Sequence, residues 1–433
     1  MTASTRARAP RTFPLLARLA GAVRARSAEA LVFSAATAVA LLHALDDAFL
    51  LPGPGVPLGQ HALAAAIAVV ASIAAIVAFP RLRPGLRSAT AFTFGALASI
   101  NGGRHAHHIL TESLTANDVT GLLALAAGVV LVGLAAAIPF RHRGEGDAGP
   151  VRRWVTRVLV VVVGLVTVQV FFFPVGMAIT DIHSLEKPLG DPPNAAYQTV
   201  HFTASDGVEL EGWYRPSRNG ASVLVLSGGG SNRMGPLRHA RMLERQGYGV
   251  LVYDPRGSGN SEGTPNSYGW GWERDVDAAL GFLAKRDDID AGRIGALGLS
   301  TGADMAIDAA GRRDDIKAVV ADGSAAISYE DIKEYTDEPL TRQPMWVLFK
   351  SMELIRAGSP PKVSLADRIA RTSTPHLLVS AGKAEQEWGE IYDKAGGART
   401  ELWHLPKASH TAALKQYPEA YEQRVAAFFD RNL

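Results

Sequence analysis

The sequence predicts a two-part chain: an N-terminal all-α membrane domain of about five transmembrane helices, then an α/β domain. The second part is expected to hold a mainly parallel sheet with helices on both faces and a small lid. Long apolar runs between residues 28 and 179, far longer than a soluble core needs, predict the first part. Short β-rich runs alternating with helical patterns after residue 195 predict the second. Arginine clusters recurring between alternate apolar runs give the arrangement across the membrane. The expected divisions are a basic, cytoplasmic N-terminus (1–27), a transmembrane domain (28–180), a linker (181–196) and an α/β domain (197–433) with a lid at about 323–366.

A helix needs about 20 mostly apolar residues to cross roughly 30 Å of hydrocarbon. Candidates are 30–50, 61–79, 88–108, 119–140 and 155–178, the third interrupted by Asn101, Gly102, Gly103 and Arg104. Arg6, Arg8, Arg11, Arg18, Arg24 and Arg26 precede the first run, and the loop 51–60 carries no Lys or Arg. Arg81, Arg83 and Arg87 follow the second run, Arg104 alone the third, and Arg141, Arg143, Arg152 and Arg153 the fourth. This alternation fits five spans with the N-terminus inside. It predicts a multi-pass cell-membrane protein with its C-terminal domain outside the cytoplasm. His43, Asp46, Asp47, His61, His105, His107 and His108 then gather on the outer side. They read as wet residues at helix ends, or alternatively as ligands of a divalent ion.

Composition removes several classes. The net charge of +2, with no basic block beside aromatics, gives nucleic-acid binding no support. The chain has no cysteine, which excludes disulfides, thiolate metal sites and a cysteine nucleophile.

In the α/β domain, strands are expected at 199–204, 209–215, 222–226, 249–253, 293–299, 318–321, 377–380 and 400–405. Helices are expected at 236–246, 273–285, 302–312 and 419–431. Runs such as 223-VLVL-226 are apolar on both faces, as strands buried between helix layers must be. Two G-x-S-x-G motifs occur, around Ser261 and Ser300. A serine needs a base and an anion site before it attacks, and a strand–turn–helix elbow exposes its hydroxyl for both. Ser300 lies between the strand 293–299 and the helix 302–312, whereas Ser261 lies in a Pro/Gly/aromatic loop. Ser300 is therefore the expected nucleophile.

The stretch 227-SGGGSNR-233 resembles the oxyanion loop H-G-x-G-x-x-R, with Ser227 in place of histidine. The stretch 247-GYGVLVYDPRGSGNSEG-263 resembles G-[YF]-x-V-L-x-x-D-x-R-G-x-G-x-S. With the elbow GLSTG, these motifs make residues 197–433 resemble the α/β-hydrolase fold superfamily, in particular dienelactone and acyl-CoA thioester hydrolase-like enzymes. The resemblance does not reach residues 1–180. It implies an oxyanion hole from the N–H groups of Gly229 and Thr301, a base at His410 after the last strand, and an acid after the penultimate strand. Glu385 holds the G-x-x-[DE] position counted from Gly382, with Glu387 the next choice. Asp254 reads as a structural anchor for the Arg256 loop. In 345–355, Met345, Leu348, Met352 and Ile355 share a helical face, either an acyl-binding cap or an ordinary cover of the sheet. Trp270 and Trp272 line an entrance or simply pack.

The function expected is a membrane-anchored serine hydrolase cleaving an ester or thioester of a small-molecule or lipid-like acyl substrate, without cofactor or metal. An amidase or peptidase, an acyltransferase, and a non-catalytic binding protein are the alternatives.

Overall fold

The computed structural model describes residues 14–46, 58–111, 116–141, 151, 166, 169–170, 173–182, 189–354 and 358–433. The chain divides into two compact units, 1–51 with 61–166, and 52–60 with 167–433.

The first unit consists of α1 (Pro14–Leu45), α2 (Leu58–Ala78), α3 (Pro84–Thr111) and α4 (Ala116–Arg141). Phe33 stacks on Phe79 at 4.0 Å in a core that includes Leu131 and Ile138. Arg87 pairs with Glu29 at 2.8 Å, both almost wholly buried. Among the described residues, two helical stretches are long and apolar enough to cross a membrane, Ala28–Leu45 and Asp118–Arg141, and Ala65–Arg81 is a shorter apolar helix. The third expected span is helical but falls outside this set, because Asn101, Arg104 and its histidines dilute its apolar stretch. Most of the fifth lies outside the described residues.

The reading of wet histidines at helix ends is corrected here, since His43, His105 and Asp118 are 2%, 1% and 1% exposed. Burial is tolerated because each ring nitrogen Nδ1 has a partner: His105 meets Asp118 Oδ1 at 3.0 Å, and His43 meets Thr120 Oγ1 at 3.0 Å. The Thr120 hydroxyl in turn donates to Asp46 at 2.7 Å. No group of three metal-ligating side chains is assembled among the described residues. The side chains of Asp47, His61, His107 and His108 lie outside them.

The second unit contains a short helix, α5 (Phe173–Asp181), that overlaps the end of what the sequence reads as the fifth span. Ala178 and Ile182 are buried in the core of this unit. Eight strands follow: β1 (Gln198–Thr203), β2 (Glu209–Arg215), β3 (Ser222–Leu226), β4 (Gly249–Tyr253), β5 (Ile294–Leu299), β6 (Ile316–Asp322), β7 (His376–Ala381) and β8 (Thr400–Leu405). The helices among and after them are α6 (Leu237–Arg245), α7 (Trp272–Leu283), α8 (Thr301–Ala310), α9 (Tyr329–Tyr335), α10 (Pro339–Leu354), α11 (Leu365–Arg371), α12 (Gly382–Gly396), α13 (Ala413–Gln416) and α14 (Pro418–Asn432).

Strand order is β1-β2-β4-β3-β5-β6-β7-β8, with β2 antiparallel to both neighbours and every pair from β4 to β8 parallel. The strand period of two divides the apolar runs between two cores. Val223, Val225, Val250, Val252, Leu297 and Leu299 pack in one, with Phe428 and Phe429 of α14. Leu224, Leu226, Leu251, Ile294 and Ala296 pack in the other, with Leu280 of α7 and Ile307 of α8. Helices thus cover both faces, and the loops at the carboxyl ends of the parallel strands are left to build a site.

Candidate active site

Ser300 occupies the turn between β5 and α8 with φ 52° and ψ −123°, a left-handed conformation rare for a residue with a side chain. The turn is held by the Ser300 N–H donating to Asp322 O (2.8 Å) at the end of β6, and by the Ala303 N–H donating to Ser300 O (2.7 Å). The two glycines of the motif are there for space. A Cβ on Gly298 would collide with the Gly302 carbonyl, and one on Gly302 would sit 2.6 Å from the carbonyl oxygens of Leu226 and Ser227. Ser261 instead braces a loop, its buried hydroxyl donating to Asp254 O (2.7 Å) and accepting from the Glu211 N–H (3.0 Å).

The 227–233 loop lies beside this turn. A Cβ on Gly228 would be 3.3 Å from Ser300 Cβ, and one on Gly229 would be 2.9 Å from Thr301 Oγ1. Buried ionic bonds fix the loop. Arg233 donates to Asp254 through its backbone N–H (2.8 Å), Nε (3.1 Å) and Nη2 (2.7 Å), and Nη2 also reaches Glu211 at 2.6 Å. Asp254 anchors the Arg256 loop as expected, through the Asn260 N–H (2.9 Å), and it also holds Arg233. Arg256 itself turns to Asp275 (2.6 Å) and Asp206 (2.8 Å). An aspartate buried at the end of β4 needs a full donor set, and Arg233 supplies most of it.

His410 follows β8 and meets Glu385 through Nδ1···Oε1 at 2.7 Å. Glu385 stands in the first turn of α12, and its other oxygen accepts the Ala381 N–H at 2.7 Å. Glu387, the other expected acid, accepts instead from the Tyr335 hydroxyl at 2.7 Å. Two residues on a helix are about 200° apart around the axis, so only one of the pair can face His410. The imidazole lies against Gly323, where a Cβ would be 2.9 Å from its Cε1. Gly323 follows Asp322, whose carbonyl holds the Ser300 N–H, which brings the His410–Glu385 pair and Ser300 to the same strand end. Among the described residues no hydrogen bond joins Ser300 to His410.

The Glu385 carboxylate at Nδ1 raises the His410 pKa above its ordinary 6.5, against the opposing effect of burial. Asp322, at the end of β6, is 1% exposed; burial first, then the Glu385 charge, pushes its carboxyl up to about 7. Ser267 was invisible in the sequence because its backbone is what matters: its carbonyl accepts the Thr301 hydroxyl at 2.6 Å. Trp270 and Trp272 are buried packing residues, and Trp270 Nε1 donates to Ile327 O at 2.9 Å. In α10, Leu348 and Met352 are buried and Met345 is partly so, while Ile355 lies outside the described residues. Phe349 packs edge-on against Tyr268, Trp270 and Tyr329.

Comparison with known proteins gives relatives and a family. The protein YfhR of Escherichia coli K12 is 32% identical over 155 residues, 34% of this chain and 53% of that protein. The thiohydrolase apmlB of Arthrinium phaeospermum is 33% identical over 136 residues, 30% of this chain and 44% of that protein. The chain thus spans about half the length of these relatives. An esterase from Pyrococcus furiosus of known structure is 23% identical, with a TM-score of 0.47 over 58% of this chain and 98% of that one. The family model described as X-Pro dipeptidyl-peptidase (S15 family) matches residues 195–429, more than half of the chain. Through that stretch, which carries the Ser300 elbow, the 227–233 loop and the Glu385–His410 pair, the chain belongs to the S15 family of α/β hydrolases.

Proposed function

We propose that the chain is a membrane-anchored serine hydrolase that cleaves an ester or thioester through an acyl-enzyme. The observation that carries this reading is Ser300 held at φ 52° at the end of β5, with the His410–Glu385 pair of 2.7 Å following β8 and β7 and the imidazole lying against Gly323 at the end of β6. In this mechanism His410 takes the Ser300 proton through Nε2 as Oγ attacks the acyl carbon, and Glu385 holds the imidazole through Nδ1 and stabilises its charged form. The N–H groups of Gly229 and Thr301 receive the oxyanion, aided by the N-terminus of α8. Protonated His410 gives its proton to the leaving group. A water activated by the same imidazole then releases the acid.

A second reading, hydrolysis of amide bonds at proline, is favoured by the family. It would use the same residues. The full chain in detergent should be assayed with p-nitrophenyl esters of increasing chain length, acyl thioesters and an X-Pro p-nitroanilide. Turnover of esters or thioesters supports the first reading, turnover of the anilide alone transfers the function to the second, and turnover of none overturns both.

His410 must be neutral to accept a proton, so kcat/KM should rise with pH through the raised pKa, placing the acid limb above 6.5. In Glu385→Gln the charge that raises the pKa is gone. The limb should move to lower pH while kcat falls by about 10²–10⁴-fold. A limb that stays in place in the variant would remove Glu385 from the pair's chemistry.

Membrane anchoring is supported by the apolar helices at 28–45 and 118–141, and the arginine alternation supports a hydrolase domain outside the cytoplasm. Alkaline phosphatase fused after Leu433 should be active in a bacterial host, and β-galactosidase at the same point inactive. The reverse pattern would refute the topology.

A further inference from the structure

The helix α5, which overlaps the end of the fifth apolar run and continues past it, is built into the scaffold of the anion site. Asp181, the last residue of α5, accepts the Ser267 N–H on its carbonyl at 2.8 Å. The Ser267 carbonyl in turn accepts the Thr301 hydroxyl at 2.6 Å. The same carbonyl oxygen presses on Gly229, so closely that any Cβ there would overlap it. One residue's backbone thus touches both residues read as oxyanion donors, and its own N–H is held by α5. The loop around Ser267 has little freedom otherwise. The buried Asn266 side chain accepts the N–H groups of Tyr268 (2.9 Å) and Trp270 (3.3 Å), and Gly269 lies against the Thr301 methyl and Met305. On the other side, α5 is fixed by Ala178 and Ile182 in the core and by packing against α10.

We propose that α5 is a positioning element of the oxyanion hole, acting through Ser267, so that the anion site registers how α5 is held. The proposal rests on the reading of Gly229 and Thr301 as oxyanion donors. An oxyanion hole works only when its donors are pre-aligned, and a shift of about 1 Å costs up to 10²-fold in rate. Two hydrogen bonds lead from the end of α5 through Ser267 to Thr301.

The test uses the full chain in detergent. Ile182→Ala, which loosens α5 without touching the acyl site, should lower kcat about tenfold with KM within about twofold. Thr301→Val should also lower kcat, and Thr301→Ser should restore it. Adding Ile182→Ala to Thr301→Val should cost little more, because the path is already broken. Independently of turnover, amide hydrogen exchange of Ile182→Ala should quicken at least about tenfold over 264–271 while the β1–β2 hairpin is unchanged. Unchanged exchange over 264–271, fully additive losses, or a change confined to KM would each overturn the proposal. Absence of wild-type turnover on every substrate would sink the hydrolase reading instead, and the exchange result would still decide this one.

Discussion

Ser300→Ala is expected to remove about 10⁴–10⁶-fold of kcat and all labelling by a fluorophosphonate probe. The magnitude follows from what is lost. Without Oγ no acyl-enzyme forms, and only binding and the anion site remain to assist attack by water. Labelling that survives in Ser300→Ala and disappears in Ser261→Ala would transfer the chemistry to the other motif. The bonds to the Ser261 hydroxyl from Glu211 N–H and to Asp254 O make that outcome an unexpected one. The elbow also makes a prediction about stability. A left-handed conformation costs a residue with a Cβ about 1–3 kcal/mol, and alanine carries the same Cβ as serine. Ser300→Ala should therefore melt like wild type, while Ser300→Gly should gain about 1 kcal/mol, less than the strain because glycine loses more entropy on folding. A glycine variant no more stable than the alanine variant would show that the turn stores no strain.

Asp254→Ala is expected to cost about 3–5 kcal/mol of stability, a large share of the roughly 5–15 typical of a domain. Asp254 is wholly buried and Arg233 is 1% exposed, so removing the carboxylate strands a guanidinium in the interior. Glu211 remains within 2.6 Å of Arg233, but it is one partner where the backbone N–H, Nε and Nη2 had been satisfied together. The change also frees the 227–233 loop, so kcat should fall even at temperatures where the variant stays folded. The double change Arg233→Met with Asp254→Leu should recover much of the stability, because no charge is then left buried. Urea unfolding of the full chain in detergent, followed by tryptophan fluorescence, measures both. A cost under about 1 kcal/mol for Asp254→Ala would show that Arg233 reaches solvent by rearranging.

The acid of the site shows where sequence reading stops. Glu385 and Glu387 stand two residues apart with the same chemistry, and counting from Gly382 only ranks them. The helix that starts at Gly382 turns one toward His410 and the other toward Tyr335. Asp254 is a similar case. Its place at the end of a strand is local information, but its partner Arg233 stands 21 residues back and arrives only when β3 pairs beside β4.

What the sequence by itself determined is what repeats locally. The strands of 222–226 and 249–253 coincide with their apolar runs, because a strand buried on both faces must be continuously hydrophobic. The Ser300 elbow was legible because two glycines bracket the serine, and each is required by a backbone approach within a few residues or from the adjacent strand. Tertiary structure alone decided the rest. It paired Glu385 rather than Glu387 with His410, buried the histidines His43 and His105, and drew α5 out of an apolar run into the core of the second unit. Hydropathy reports only that a segment leaves water. Whether it enters lipid or protein depends on the surface it meets, and residues distant in sequence build that surface.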